Sequence, residues 1–221
     1  MNKLPWLEMI INWLPRRLSQ DRPGLPAQLK LSPSPPPSTL TYRDVLETCI
    51  RAAVLVLLYP RGAEPHLVLI HRTGAGNHHQ NQISFPGGRM QAGESIEQAA
   101  LREAREELGL NLDRAIIVGE LTPLYVQPSN YCIFPVVAIN RQEPQFVPCP
   151  REVAAVIEVP LSHLLDENNL KRERWLLRGK ETLVPFYHFK QHKIWGATAM
   201  ILNEFLEVLK PLESPAPFSD S

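Results

Sequence analysis

Apolar positions recur with a helical period between residues 95 and 109. At about 100° per residue, one arc of roughly 140° is apolar and holds Ile96, Ala100, Leu101, Ala104 and Leu108. Ser95 followed three residues later by Gln98 is a capping-box pattern. Gly109 directly after the last apolar residue suits a left-handed helix end. The pattern predicts a helix over residues 95–108.

Short apolar runs with turn residues between them predict the remaining elements. Strands are predicted at 52–59, 66–71, 115–121, 132–139 and 153–159, with a turn at 60–65 joining the first two. A short helix is predicted at 161–165, a hairpin at 183–190 and 192–195, and a closing helix at 197–209. Together they predict the α/β class, with a mixed sheet (α+β) between helices.

Both ends differ in composition from this central part. Residues 6–18 favour a short amphipathic helix that docks on its own domain or on a dimer partner, with membrane association as the less favoured alternative. Residues 21–38 are rich in proline and predict an extended tether. We therefore expect an N-terminal extension at 1–40, one domain at 41–210 and a disordered tail at 211–221.

The overall composition narrows the possible functions. The chain has 221 residues, 44% of them hydrophobic, and a formal net charge of zero. No broad basic field attracts nucleic acid, and no apolar run approaches the roughly 20 residues that span a bilayer. The start of the chain lacks a secretory pattern. Cys49, Cys132 and Cys149 lack CxxC spacing and predict reduced cysteines in a cytoplasmic protein.

Three carboxylates lie on the predicted helix with few basic partners beside them. Glu103 and Glu107 form an i, i+4 pair of like charge, and Glu106 lies between them, in the half of the helix that the macrodipole makes unfavourable for anions. A hard divalent cation would relieve both penalties. The alternative is a solvated acidic face, which is what most runs of charge are.

The surroundings of these glutamates resemble the signature of the Nudix hydrolases, which favours the cation over the solvated face. The matching positions are Gly88, Glu94, Arg102, Glu103, Glu106, Glu107 and Gly109. Upstream, residues 68–73 and 82–88 resemble a second signature, that of the coenzyme A pyrophosphatase branch. Asn77 and Asn81 differ there from the Arg and Gly that the branch usually has. Downstream, residues 150–161 and 194–199 also resemble segments of this branch.

The resemblance implies a Nudix-type α/β/α sandwich and a metal-dependent pyrophosphatase. It implies that Mg²⁺ or Mn²⁺ is held by Glu103, Glu106 and Glu107, with a backbone carbonyl of Gly87 or Gly88. Arg102 would orient a glutamate. Glu103, Glu106 and Arg102 are the expected catalytic residues, and Glu103 or a carboxylate outside the signature would be the base. Glu94 would be a structural or outer anchor of the loop.

The implied substrate is a small nucleotide derivative, with no nucleic acid or membrane as partner and a homodimer as the expected assembly. CoA or acyl-CoA would give 3′,5′-ADP and (acyl-)4′-phosphopantetheine. The alternatives are ADP-ribose, a dinucleotide, or a non-catalytic ligand sensor. Gly87, Gly88 and Arg72 are expected to bind substrate, although Arg72 could instead form a structural ion pair.

Aromatic and imidazole side chains elsewhere are secondary candidates. His78 and His79 are either ordinary loop residues or nucleotide contacts. Phe85 and Trp195 are expected in the core rather than as stacking platforms, and the turn at 127–130, flanked by Tyr125 and Tyr131, could line the cleft.

Overall fold

The computed structural model describes residues 5–20, 22–34, 40–73, 82–113 and 115–210. Its helices are α1 (Pro5–Gln20), α2 (Gly24–Leu29), α3 (Tyr42–Val45), α4 (Ile96–Leu108), α5 (Leu161–Leu165) and α6 (Gly196–Leu209). Its strands are β1 (Ile50–Arg61), β2 (Glu64–Arg72), β3 (Ile83–Ser84), β4 (Gly87–Arg89), β5 (Ile116–Glu120), β6 (Leu124–Val126), β7 (Tyr131–Ile139), β8 (Val153–Pro160), β9 (Leu170–Leu177), β10 (Lys180–Phe189) and β11 (His192–Trp195).

Eight strands form one mixed sheet. Its central order is β3-β2-β1-β7-β5, while β4 pairs with β1, β6 with β7 and β8 with β2. The pairing of β1 with β7 is parallel, and the other pairings in this sheet are antiparallel. Strands β9, β10 and β11 form a separate sheet, so the predicted hairpin gains a third strand.

Alternate residues of β1 divide the protein into two cores. Ala53, Leu55 and Leu57 pack with the apolar face of α4, whereas Val56 and Leu58 pack in the cluster that contains α1 and α6. Because side chains alternate across a strand, one sheet can bury both faces between helices. The predicted α/β/α sandwich is confirmed.

The predicted turn at 60–65 is shorter than expected. Pro60 and Pro65 lie opposite each other at the ends of β1 and β2, and the chain turns at residues 62–63. A proline at the end of a ladder interrupts little pairing, so the two strands continue past both prolines.

The N-terminal segment is part of the packed structure. Leu7, Ile10, Leu14 and Leu18 of α1 are buried, as predicted for a helix that docks on its own domain. The prediction of an extended tether at 21–38 is wrong for residues 24–29, which form α2 and pack against α6. Pro26 lies in the first turn of α2, where a missing N–H costs little.

The prediction of three reduced cysteines is wrong for two of them. Cys49 and Cys132 form a disulfide, and Cys149 is free. The parallel pairing of β1 with β7 places Ile50 opposite Tyr131 and thereby brings the two cysteines together.

Some predictions lie outside the described residues, namely those on Asn77, Asn81, His78, His79 and the tail at 211–221. Among the described residues, no helix has the length and apolar composition needed to cross a membrane.

Candidate active site

Helix α4 begins and ends where its sequence predicts. The Gln98 amide donates to Ser95 Oγ at 3.1 Å, and the Ser95 amide donates to Gln98 Oε1 at 2.9 Å. Gly109 closes the helix with a φ of 62°. Ala99, Ala100, Ala104 and Leu108 are buried, and the opposite edge of the helix carries the three glutamates.

Glu107 is the buried carboxylate of the site. Its side chain is 0% exposed, and its Oε1 accepts a hydrogen bond from Arg72 Nη1 at 2.5 Å. Its Oε2 accepts from the Gly87 amide at 2.8 Å, while Arg72 Nη2 donates to the Gly87 carbonyl at 2.8 Å. Burial raises the pKa of Glu107 to about 7, although Arg72 and the Gly87 amide oppose the shift. This carboxylate therefore lies where additional positive charge would be stabilising.

Arg102 connects the remaining acids. Its Nε and Nη2 donate to the two oxygens of Glu94 at 2.8 and 3.0 Å. Its Nη1 donates to Glu103 Oε1 at 2.8 Å and to Glu106 Oε2 at 3.0 Å. The expectation of few basic partners is therefore wrong, because Arg72 and Arg102 reach the acids from a strand and from the solvent side of the helix. The planar guanidinium with five donors is suited to this bridging.

Glu94 and Glu103 have different environments. Glu94 also accepts from the Gln91 amide at 3.0 Å, and Arg102 holds its pKa below the usual range. These contacts match the predicted loop anchor. Burial raises the pKa of Glu103, with Arg102 opposing the shift, whereas the Glu106 side chain is 54% exposed.

Two glycines let the backbone approach the acids closely. A Cβ at Gly88 would lie 2.5 Å from Glu103 Oε2. A Cβ at Gly87, whose φ is +152°, would lie 2.3 Å from the Ala53 carbonyl oxygen. A larger residue at either position would displace the backbone or the carboxylate.

The donor set fits a hard divalent cation chemically. Among the described residues, no three His, Cys, Asp or Glu side chains already converge as a metal centre. Each carboxylate nevertheless keeps unused lone pairs, because an ionised carboxylate has about four acceptor positions. Three carboxylates on one helix, with a backbone carbonyl beside them, supply the oxygen ligands that Mg²⁺ and Mn²⁺ prefer.

Glu103 and Glu107 open onto a large cavity of about 1560 Å³. Its floor is one face of the sheet and consists of Ile50, Ala52, Val54, Leu124, Val126, Tyr131 and Ile133. Tyr125 and the turn at 127–129 line it as predicted, and Trp195 also lines it. Phe85 is buried as predicted, but Trp195 is half-buried, and its ring contacts Trp175.

The cavity carries an excess of positive charge that the sequence patterns do not predict. Its charged lining among the described residues consists of Arg22, Arg43, Arg72, Arg89, Arg151 and Arg178 with Glu103, Glu107 and Glu152. Of these, only Arg72, Glu103 and Glu107 were predicted at the site. Arg151 and Glu152 lie in the downstream segment that resembles the family, which was the available signal. Arg89 directly follows Gly88 of the signature, whereas Arg22, Arg43 and Arg178 come from segments far apart in the chain and carry no local signal.

A comparison with family models matches the NUDIX domain to residues 50–178 of this chain. The chain belongs to the Nudix family. This match covers α4 with its glutamates, both glycines, Arg72 and the whole of the large sheet. The protein is accordingly a Nudix pyrophosphatase.

Curated relatives agree with this assignment. The chain is 32% identical over 181 residues to "Uncharacterized Nudix hydrolase NudL" of Photorhabdus laumondii, covering 81% of this chain and 93% of the relative. It is 36% identical over 166 residues to "Mitochondrial coenzyme A diphosphatase NUDT8" of Homo sapiens, covering 72% and 70%. A solved Nudix hydrolase from M. smegmatis, RenU, has a TM-score of 0.49 and 20% identity, covering 74% of this chain and 88% of its own.

Proposed function

We propose that this Nudix pyrophosphatase hydrolyses the diphosphate of CoA or acyl-CoA with the help of Mg²⁺ or Mn²⁺. Water adds to one phosphorus, and the bridging oxygen leaves with the other phosphate. The products are 3′,5′-ADP and (acyl-)4′-phosphopantetheine. The observation that carries this proposal is the cavity, which combines the carboxylate cluster, six arginines and an apolar floor.

The positive charge of the cavity favours a substrate that carries a further phosphate in addition to its diphosphate. CoA carries a 3′-phosphate in addition to its diphosphate, whereas ADP-ribose carries the diphosphate alone. Arg89, Arg151 and Arg178 line the cavity, and within the described part of the chain their guanidinium groups have no hydrogen-bond or ion-pair partner. Arginine forks bind phosphate through paired, charge-assisted hydrogen bonds, so these three residues are available to bind phosphate.

The apolar floor favours a substrate with a long, weakly polar arm. Nucleotide sugars and dinucleotides are polar along their whole length, whereas the pantetheine arm has two methyl groups before its first amide and methylene groups after each amide. The human relative, named as a coenzyme A diphosphatase, lends further support at 36% identity.

Each residue of the cluster has a role in this proposal. Glu103 and Glu107 would hold the cation with Glu106 and the Gly87 or Gly88 carbonyl. When bound, it would neutralise phosphate oxygens and lower the pKa of a coordinated water. Arg102 would fix the orientation of Glu103 and Glu106. Glu103 is the leading candidate for the base, and Glu152, which lines the same cavity, is the carboxylate outside the helix that could serve instead.

Arg72 forms the ion pair that was one of its two predicted roles, and this proposal assigns it substrate binding as well. It forms the ion pair with Glu107, and its half-buried side chain also lines the cavity. It would therefore contact a substrate phosphate while keeping Glu107 ionised. Gly87 and Gly88 would bring backbone groups close to the same phosphate.

Product analysis tests the proposal directly. We expect purified protein with Mg²⁺ or Mn²⁺ to convert CoA to equal amounts of 3′,5′-ADP and 4′-phosphopantetheine, identified by mass. Chelation should stop the reaction, and added cation should restore it. Intact CoA beside rapid cleavage of ADP-ribose or a dinucleotide would show that the substrate is a different one. The cytoplasmic location and the homodimer remain predictions.

A further inference from the structure

The N-terminal segment at 22–34 borders the cavity, although sequence analysis predicted it as a tether. Leu25 and Leu29 of α2 line the cavity together with Met200 and Ile201 of α6. Leu29 is 43% exposed, so its apolar side chain is accessible to a ligand in the cavity. We call residues 22–34 the N-terminal wall.

A buried carboxylate holds this wall in place. Glu204 of α6 is 0% exposed and accepts hydrogen bonds from the Gly24 amide at 3.2 Å and from Gln28 Nε2 at 2.7 Å. It also accepts from the Thr122 amide at 3.2 Å, and Gln28 Nε2 donates to the Thr122 carbonyl at 2.7 Å. A charge is buried only where such donors compensate it. Glu204 therefore joins α2, α6 and the residues before β6 into one unit.

The register of the sheet gives the separation between the carboxylate cluster and this unit. Arg89 pairs with Ala52, Ala52 with Ile133, and Ile133 with Leu124. Three strand spacings separate Arg89, next to Gly88, from Leu124, which corresponds to about 14 Å. Thr122, two residues before Leu124, is the residue to which Gln28 of the N-terminal wall donates, and Leu124 lines the same cavity as Leu25 and Leu29.

The pantetheine arm of CoA matches that separation. Its main chain is as long as about four peptide residues, so it extends about 14 Å. A diphosphate at the carboxylates, with its arm laid across the apolar floor, therefore places the thiol near Leu124. A group attached to that sulfur would contact Leu25 and Leu29.

We propose that the N-terminal wall is the binding site for the acyl chain of an acyl-CoA substrate, and that Glu204 is a positioning residue that holds the wall. This inference rests on the proposed function. It makes the N-terminal wall a determinant of substrate choice, because a longer saturated chain buries more apolar surface against it.

A series of substrates with acyl chains of different length tests acyl binding by the N-terminal wall. We would measure kcat and KM for CoA, hexanoyl-CoA and dodecanoyl-CoA below micellar concentrations, with Mg²⁺. In the wild type, kcat/KM should rise at least tenfold from CoA to dodecanoyl-CoA. Leu29→Asp should lower the ratio of kcat/KM for dodecanoyl-CoA to that for CoA at least tenfold, mainly through KM.

Leu46→Asp is the matched control, since Leu46 is 41% exposed but does not line the cavity. It should leave the ratio within twofold of the wild type. An unchanged ratio in Leu29→Asp, or the same loss in Leu46→Asp, would overturn the proposal.

The positioning role of Glu204 has a separate test. In Glu204→Gln, an amide NH2 group replaces a carboxylate oxygen that accepts hydrogen bonds, although the site contains three donors. We therefore expect the ratio of kcat/KM for dodecanoyl-CoA to that for CoA to fall at least fivefold, through KM. Glu167→Gln removes an exposed ion pair with Lys210 at the end of the same helix, outside the N-terminal wall, and should change the ratio less than twofold. A loss in kcat that is equal for CoA and dodecanoyl-CoA would indicate a general structural defect and would contradict the positioning role.

The same measurements, with ADP-ribose added as a fourth substrate, separate the two proposals. If the wild type cleaves CoA and acyl-CoA with kcat/KM values that do not depend on acyl length, acyl binding by the N-terminal wall is overturned. The proposed function would then remain intact. A wild type that cleaves no CoA species but cleaves ADP-ribose overturns the proposed function, and the wall proposal with it.

Discussion

Two arginines determine how the acidic residues of the site are arranged. Arg72 reaches the buried Glu107 from β2, and Arg102 joins Glu94, Glu103 and Glu106 on the exposed side of α4. The negative charges, which would repel one another on an isolated helix, are thereby divided between two guanidinium groups. This arrangement allows three carboxylates to be placed next to one another before a cation binds.

Glu103 is the residue whose loss should affect the chemistry most. Glu103→Gln keeps the shape of the side chain but removes a negative charge that would hold the cation and the leading candidate for the base. We expect kcat to fall by roughly 10²- to 10⁴-fold. Glu97→Gln, an exposed acid in the first turn of the same helix, should leave kcat within twofold. Steady-state assays of both variants would reject this role if they behaved alike.

Arg102 should be intolerant of lysine because one ammonium cannot bridge three carboxylates. We expect Arg102→Lys to lower the free energy of unfolding by about 1–3 kcal/mol. Its kcat should fall at least tenfold, since Glu103 and Glu106 lose their orientation. Urea unfolding and kinetics measure both effects. Arg105→Lys, whose exposed ion pair with Asp113 spans 3.7 Å, is the control and should change neither.

At the scale of elements, local patterns were predictable and non-local ones were not. Helix α4 follows from its cap, its apolar arc and its terminal glycine, all of which lie within fifteen neighbouring residues. Helix α2 and strand β9 were missed. The fold of α2 depends on Glu204, far away in the chain, and most residues of β9 are exposed, which gives no apolar alternation. The cavity arginines were missed because their elements meet only in the folded protein.

The disulfide shows the same limit, because it depends on the parallel register of β1 and β7. Cys49 and Cys132 are separated by 83 residues. A loop of this length constrains the unfolded chain, so reduction or Cys132→Ser should lower the free energy of unfolding by about 2–4 kcal/mol. Urea unfolding with and without reductant measures this loss.

Thiol counting provides an independent check of the disulfide. Unreduced, denatured protein should expose one reactive thiol, that of Cys149, and reduced protein should expose three. Three thiols without reductant would show that the disulfide does not form.

At the scale of the whole molecule, the charge is distributed unevenly. The chain has no net formal charge, yet six arginines and three glutamates line the cavity among the described residues. Local positive potential in a cleft attracts anionic ligands more strongly at low ionic strength. A net formal charge of zero is therefore compatible with a local site that attracts anions, and composition alone could not reveal that site.

This distribution predicts a salt-dependent KM. Raising ionic strength should increase KM for CoA while changing kcat little. Arg151→Gln should raise KM at low salt by several-fold and should reduce the salt dependence. Arg141→Gln, which removes an exposed pair with Glu8 outside the cavity lining, is the control. A KM that does not change with salt in the wild type would argue against phosphate binding by the cavity arginines.

An internal competition tests the central claim most directly. Equal concentrations of CoA, ADP-ribose and a diadenosine polyphosphate are incubated together with the protein and Mg²⁺, and the initial rate of each product is measured by mass. The ratio of these rates gives the ratio of kcat/KM values. We predict that CoA is cleaved at least tenfold faster than either competitor. Preferred cleavage of ADP-ribose or the dinucleotide, with CoA left intact, would contradict the assignment of the cavity to CoA.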